Sequence, residues 1–129
     1  MARPPSRQFT EVELQVLNVL WEQGPSPVRD IHTRLNQERG TNYSTTVKML
    51  SVMLEKGLLT RDESQTPHIY KAAVTRNRAG RRMLDNLVRR IYEGSTMSLV
   101  VQALTHGNAS PEEIGELRQL LDELEKKPS

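Results

Sequence analysis

The segment YSTTVKMLSVMLEKGLL, residues 43–59, constrains the fold of this chain more than any other. It opens with small polar residues, which favour a helix start, and continues with apolar residues at spacings of three and four. A helix is predicted from Ser44 or Thr45 to about Lys56, where Gly57 ends it. The predicted buried face consists of Thr46, Met49, Leu50, Met53 and Leu54.

Two shorter helical patterns precede this segment. The first begins at Thr10, whose hydroxyl forms a predicted capping box with Glu13, and it ends at Gly24-Pro25. In the second, Ser26 is the predicted cap and Pro27 the first helical residue, and the helix ends near Arg39-Gly40. Both patterns therefore predict short amphipathic helices.

A short basic hairpin follows the third helix. Residues 58–62 and 68–73 are the predicted strands, and residues 63–67 are the turn between them. Three helices and a hairpin in about 70 residues are the layout of a winged helix-turn-helix DNA-binding domain. The predicted fold class is mostly α, with this domain at residues 9–74 and a disordered arm at residues 1–8.

The remaining residues, 75–129, are predicted to form an all-helical dimerisation domain. Helices are expected over about Arg76–Glu93 and Thr96–Leu104, and from a capping box of Ser110 and Glu113 onwards. Three short helices cannot easily bury so many large apolar side chains in one monomer, so a second copy is the expected partner. The alternative is that these helices fold back on the first domain. The predicted dimerisation residues are Leu87, Ile91, Leu99, Ile114, Leu117, Leu121 and Leu124.

The charge of the chain is unevenly placed. Residues 75–94 hold six arginines and two acidic residues, whereas residues 95–129 hold six acidic and three basic residues. This asymmetry indicates one surface for a polyanion and another for a different role. A solvated helix face that carries arginines is the alternative.

Several exposed side chains of the third helix and the hairpin have suitable chemistry for DNA. Thr45, Ser51 and Lys48 can reach phosphates or base edges, and Val47 can touch a thymine methyl group. Ordinary exposed residues are the alternative for each position, and Arg61 could instead pair with Glu63. The predicted DNA-binding residues are Arg29, Tyr43, Ser44, Thr45, Val47, Lys48, Ser51, Arg61, His68 and Lys71.

Signatures of an enzyme, a metal site or a bound cofactor are absent from the sequence. There is no cysteine, and the three histidines are widely separated, with none at metal-site spacing. His32 is predicted to be a surface histidine rather than a catalyst. No apolar run approaches 18 residues, and the N-terminus does not read as a secretory signal, so a cytoplasmic protein without membrane insertion is expected.

The chain resembles the penicillinase-repressor family from about Phe9 to Leu124. The resemblance is carried by FTEVELQVLNVLWEQGPSPVRDIHTRL, YSTTVKMLSVMLEKGLL, RDESQTPHIYKAAV, IYEGSTMSLVVQAL and SPEEIGELRQLL. It implies a homodimeric winged-helix repressor that binds a palindromic operator in double-stranded DNA. It also implies release through a pathway that starts at a membrane-bound sensor metalloprotease and ends in cleavage of the repressor.

This chain departs from the family pattern at three places. The resistance repressors are cut at an Asn-Phe pair, which aligns with about Gln102-Ala103 here, and the chain contains no Asn-Phe pair. Val52 stands where many members carry arginine, and the C-terminal cysteines of the copper-responsive branch are lacking. Two alternatives remain: a ligand-responsive winged-helix regulator, and a winged-helix protein-interaction module that does not bind DNA.

Overall fold

A computed structural model describes residues 9–127 of the chain, so the arm predicted for residues 1–8 lies outside the described residues. This described part contains six helices and three short strands. In chain order they are α1 (Glu11–Gln23), β1 (Ser26–Pro27), α2 (Val28–Arg39), α3 (Tyr43–Glu55), β2 (Leu59–Asp62), β3 (Ile69–Ala72), α4 (Arg76–Ile91), α5 (Thr96–His106) and α6 (Pro111–Lys126).

The start and the end of α1 are set by the residues that the sequence indicated. The backbone N–H of Glu13 donates to the Thr10 hydroxyl over 3.1 Å, and the backbone N–H of Thr10 donates to the Glu13 carboxylate over 3.0 Å. At the other end, Gly24 has a φ of 82° and its N–H donates to the Leu20 carbonyl. The predicted capping box and the glycine stop are therefore confirmed.

The predicted start of α2 is wrong. Ser26 does not cap the helix, because its hydroxyl donates to the Gly24 carbonyl over 2.8 Å and its backbone pairs with Tyr70 in a sheet. Pro27 occupies the cap position without a side-chain capping bond, and the helix begins at Val28. A sheet contact 44 residues away in sequence thus replaces the expected local cap.

The third helix begins one or two residues earlier than predicted. The side-chain oxygen of Asn42 accepts a hydrogen bond from the Thr45 N–H over 2.8 Å, so Asn42 is the cap and Tyr43 opens α3. The predicted inner face is confirmed, since Thr46, Leu50 and Met53 are buried.

The predicted hairpin is confirmed, and it belongs to a larger sheet. Strands β2 and β3 pair antiparallel with Arg61 opposite Tyr70, and β1 adds to the other side of β3. The short strand β1 was not predicted, because two residues that contain a proline carry no strand pattern. The sheet order is β1-β3-β2.

One apolar core joins α1, α2, α3 and the sheet. Leu17, Ile31, Leu35, Leu50 and Met53 are almost wholly inaccessible to water. Each such side chain stabilises the fold by about 1.5–3 kcal/mol relative to its exposed state. The order of three helices and a small sheet is compatible with a winged helix-turn-helix domain.

The chain divides into two compact units, and the boundary falls inside α4, between Asp85 and Asn86. In the first unit, Ala79 of α4 is part of the apolar core. The expected division into folding domains at residues 74 and 75 stays a prediction. So does the dimerisation role of the second domain.

The second unit contains two well-defined helices with little interior of their own. The capping box of Ser110 and Glu113 at the start of α6 is confirmed, and α5 is capped by Ser95. Neither α5 nor α6 buries a single side chain, although both carry large apolar residues. Among the described helices, none is both long enough and apolar enough to span a bilayer.

Candidate nucleic-acid interface

The surface of α3 that faces away from the core carries the predicted DNA-reading residues. Leu50 and Met53 fix one side of this helix in the core, so its opposite side is exposed. Besides Glu55 at its end, the exposed side chains are Tyr43, Ser44, Thr45, Val47, Lys48, Ser51 and Val52. We refer to these seven residues as the α3 surface; their contact with DNA stays a prediction.

The beginning of α3 is held by a small hydrogen-bond network. The Asn42 side-chain oxygen accepts from the Thr45 N–H and from the Ser44 hydroxyl, over 2.8 and 3.0 Å. The network fixes the first helical turn, where free backbone N–H groups favour an anion such as phosphate. The predicted helix start at Ser44 or Thr45 left out the capping role of Asn42, although an asparagine before a helix is a common cap.

His32 is not the surface histidine that was predicted. Its ring is half-buried between α2 and α3, and Nδ1 lies 2.9 Å from the hydroxyl of the fully buried Thr46. The ring also meets Tyr43 edge-on, with centroids 5.3 Å apart. The prediction failed because the fold brings α3 against this part of α2. His32 therefore links the second helix to the α3 surface.

An ion pair fixes the other end of α3. Lys56 Nζ lies 2.6 Å from the Glu13 Oε2, and the Glu13 side chain is nearly inaccessible to water. Glu13 uses its second oxygen, Oε1, to cap α1. The Glu13 carboxylate therefore caps the start of α1 and also holds the end of α3. The sequence pattern did not predict this second role.

The wing, defined here as residues 59–72, carries three predicted phosphate-binding residues. Arg61, His68 and Lys71 are exposed. The alternative left open for Arg61 is realised, because its guanidinium pairs with the Glu63 carboxylate. Hydrogen bonding to Tyr70 and then to Glu63 raises the pKa of Arg61, so the side chain stays charged.

The turn of the wing is organised by Asp62. Its carboxylate accepts from the Ser64 hydroxyl, the Ser64 N–H and the Gln65 amide, over 2.6, 2.9 and 3.1 Å. These hydrogen bonds, that of the Ser64 hydroxyl first, lower the pKa of Asp62. The wing holds one arginine, one lysine, one aspartate and one glutamate, so the hairpin expected to be basic is neutral when His68 is neutral.

The remaining arginines near this unit differ in their surroundings. Arg29 is exposed in the first turn of α2, as expected for a phosphate contact. In α4, Arg76 lies over the Trp21 ring at 5.5 Å, and Arg82 lies over the Phe9 ring at 5.2 Å. Part of the basic segment therefore packs on aromatic rings.

A metal centre does not form among residues 9–127, where no group of three or more histidine, aspartate or glutamate side chains is suitably placed.

The predicted dimerisation residues lie on α4, α5 and α6, and most are exposed in the single chain. Ile91 is 65% and Leu121 63% exposed, while Leu99, Ile114 and Leu117 are half-buried. Their contact with a second copy stays a prediction.

Known proteins place the chain in the family that its motifs indicated. A sequence model described as penicillinase repressor matches residues 9–123. The penicillinase repressor of Bacillus licheniformis is 25% identical over 116 residues, which are 90% of this chain and 91% of that protein. The methicillin resistance regulatory protein MecI of Mammaliicoccus sciuri is 22% identical over 115 residues, which are 89% of this chain and 94% of that protein. Since the match covers nearly the whole sequence, the resemblance is confirmed and the chain belongs to the penicillinase repressor family.

Proposed function

We propose that this protein is a transcriptional repressor that binds a palindromic operator in double-stranded DNA as a homodimer. The observation that carries the proposal is the α3 surface. A helix anchored on one side in the core presents hydroxyl groups, a lysine and two valines on its other side, next to a hairpin. These side chains suit the hydrogen-bonding groups and methyl groups of the major groove.

The names of the relatives support regulation of transcription. The proteins similar over most of this chain are described as penicillinase repressors and a methicillin resistance regulatory protein. By analogy, this chain is proposed to repress transcription and not to act as an enzyme. A repressor acts on chromosomal DNA, so the cytoplasm is the proposed location.

The proposed contacts divide into two classes. Thr45, Val47, Lys48 and Ser51 project from α3 and are proposed to meet base edges, which carry sequence information. The proposed phosphate contacts set affinity and orientation. They are Arg29, Tyr43, Ser44, Arg61, His68 and Lys71.

The proposed dimer rests on apolar side chains that a single chain leaves in water. Neither α5 nor α6 has a buried residue, and Ile91, Leu121 and Leu124 are each more than half exposed. Exposed apolar surface on this scale commonly marks a protein interface. A second copy with the same surface would bury it around a twofold axis, which a palindromic operator matches.

A ligand-responsive regulator is the second candidate function, and one cleft of the second unit bears on it. A cleft of about 290 Å³ in the second unit is lined by Tyr92, Met97, Ser98, Val101 and Gln102. Small-molecule pockets usually enclose most of the ligand. Met97 and Val101 are more than half exposed, so this cleft is better suited to covering by another chain than to enclosing a ligand.

Release by proteolysis, which the resistance repressors imply, would require a cut within a helix of this chain. Gln102 and Ala103, which align with the pair cut in the resistance repressors, lie inside α5. This backbone would have to unwind locally before a protease could cut it. The proposed function therefore does not include cleavage at this pair.

Footprinting on the DNA upstream of the protein's own gene tests the proposed function. A protected region with two symmetry-related halves is expected, and the affinity should fall steeply with salt because phosphate contacts release counterions. A duplex of scrambled sequence is the control. Equal binding to both duplexes would rule out a sequence-specific repressor of this gene, and binding that is insensitive to salt would favour a protein-interaction module.

A further inference from the structure

Acidic side chains in the wing offset its basic ones. Arg61, Asp62 and Glu63 follow one another from the end of β2 into the turn. Their formal charge is negative, although this hairpin is the part of the first unit expected to lie along the DNA backbone. Each of the two carboxylates has a different set of partners.

Asp62 has a structural role within the turn. It accepts hydrogen bonds from Ser64 and Gln65, so its carboxylate is committed to the backbone and side chains of the turn itself. Removing Asp62 would change the shape of the wing as well as its charge.

Glu63 makes no comparable contact with the turn; its carboxylate pairs with Arg61. Arg61 at the end of β2 and Glu63 in the turn are only two positions apart, so this pair forms between close neighbours without ordering any other element. The Glu63 side chain is 60% exposed, so substituting it leaves the core untouched.

We infer that Glu63 holds the Arg61 guanidinium away from the DNA phosphates and thereby limits the affinity of this protein for DNA of any sequence. The inference rests on the proposed function. The Glu63 carboxylate occupies Nη2 of Arg61, so a phosphate that approaches this edge of the guanidinium in the usual bidentate geometry must displace it. The displaced carboxylate then faces the DNA within the Debye length of about 10 Å at 0.1 M salt, where its repulsion is still felt.

Removal of the Glu63 charge should therefore tighten binding. The probe is a duplex of random sequence, because phosphate contacts carry no sequence information. Glu63→Gln should bind it about two- to tenfold more tightly at low salt, and the dependence of log K on log salt should steepen by up to about 0.9 for each freed arginine. Glu63→Ser repeats the test with a residue that turns accept readily.

A matched control exists in the helices of the same unit. Arg34 and Glu22 form an exposed ion pair of 3.0 Å between α2 and α1, so Glu22→Gln makes the same change in charge at the same kind of pair. Its affinity for random DNA should stay close to that of the wild type. A gain as large as that of Glu63→Gln would show that net charge alone is responsible and would overturn the inference.

A double-mutant cycle identifies the route through Arg61. In an Arg61→Ala background, Glu63→Gln should give a smaller gain than in the wild type, because no arginine is left to release. Equal gains in DNA affinity in both backgrounds would overturn the inference. So would an unchanged or weakened DNA affinity of Glu63→Gln and Glu63→Ser. Either result leaves the proposed function standing. If the wild type fails to bind any DNA at low salt, the proposed function falls and this inference falls with it.

Discussion

At the scale of single residues, Lys48 is the side chain whose removal best separates base reading from phosphate binding. It is exposed near the middle of the α3 surface. Lys48→Ala should weaken operator binding by about 1–3 kcal/mol and affect random DNA much less, because a base contact discriminates between sequences. Titration of both duplexes by fluorescence anisotropy measures this difference.

Lys71 on the wing is the matched comparison for Lys48. Lys71→Ala should weaken binding to operator and random DNA about equally, and the slope of log K against log salt should flatten by about one unit. An equal loss on both duplexes for Lys48→Ala would assign Lys48 to a phosphate and contradict the prediction.

His32 has a structural role that can be measured without DNA. His32→Phe keeps a ring against Tyr43 but removes the ring nitrogen that hydrogen-bonds with the buried Thr46 hydroxyl, so a loss of about 1–3 kcal/mol in the free energy of unfolding is expected. Thr46→Val in the same chain removes the other partner of this hydrogen bond, a hydroxyl that also donates to the Asn42 carbonyl over 3.4 Å. In urea unfolding, the double mutant should lose less free energy of unfolding than the two single mutants lose together. Simple additivity would mean that the hydrogen bond between His32 and Thr46 contributes nothing.

At the scale of elements, the turn of the wing depends on an ionised Asp62. Hydrogen bonds from Ser64 and Gln65 lower the pKa of Asp62 in the folded chain below the ordinary value of 3.8. A lowered pKa means that ionised Asp62 stabilises the folded wing above about pH 4, and that this contribution is lost as the pH falls through the folded-state pKa. Binding near neutral pH is therefore insensitive to this group.

A carboxyl titration followed by NMR checks the state of Asp62. The pKa of Asp62 should lie below 3.8 in the wild type and rise towards that value in Ser64→Ala, which removes the largest of the hydrogen bonds. A wild-type pKa at or above 3.8 would mean that the turn does not hold the carboxylate as the structure has it.

At the scale of the whole molecule, the second copy is the central expectation. Leu121→Asp places a charge on an apolar residue of α6 that is 63% exposed in the single chain. If the dimer buries this position, the change should cost several kcal/mol and yield a monomer in sedimentation experiments. Gln119→Asp is the control, because it adds the same charge about 200° away around the helix. A monomeric wild type at micromolar concentration would contradict the proposed dimer.

Loss of α6 should weaken DNA binding without unfolding the first unit. Truncation after Leu104 removes Ile114, Leu117, Leu121 and Leu124, so each half of the operator would be bound by a separate monomer. The large gain from linking two binding sites would then be lost, while residues 9–74 keep their fold. Gel-shift titration and circular dichroism measure the two effects, and tight operator binding by the truncated chain would argue against a dimer held by α6.

Features that depend on neighbours within about one helical turn were predictable from the amino-acid sequence alone. Thr10 with Glu13, Ser110 with Glu113, and Gly24 set the ends of helices through contacts of three or four residues, and each was predictable. The inner face of α3 was predictable for the same reason, and the hairpin was predictable from the pattern of each strand and the turn residues between them. The exposed residues of α3 followed as the complement of the buried ones.

Contacts between distant segments became apparent only in the folded chain. Ser26 joins β3 instead of capping α2, Glu13 reaches Lys56 across 43 residues, and the Trp21 ring nitrogen donates to the Val74 carbonyl across 53 residues. His32 becomes a half-buried partner of Thr46 in the same way. Such pairs depend on how helices and strands pack, and side-chain periodicity describes one element at a time, so these roles appear only once the chain is folded.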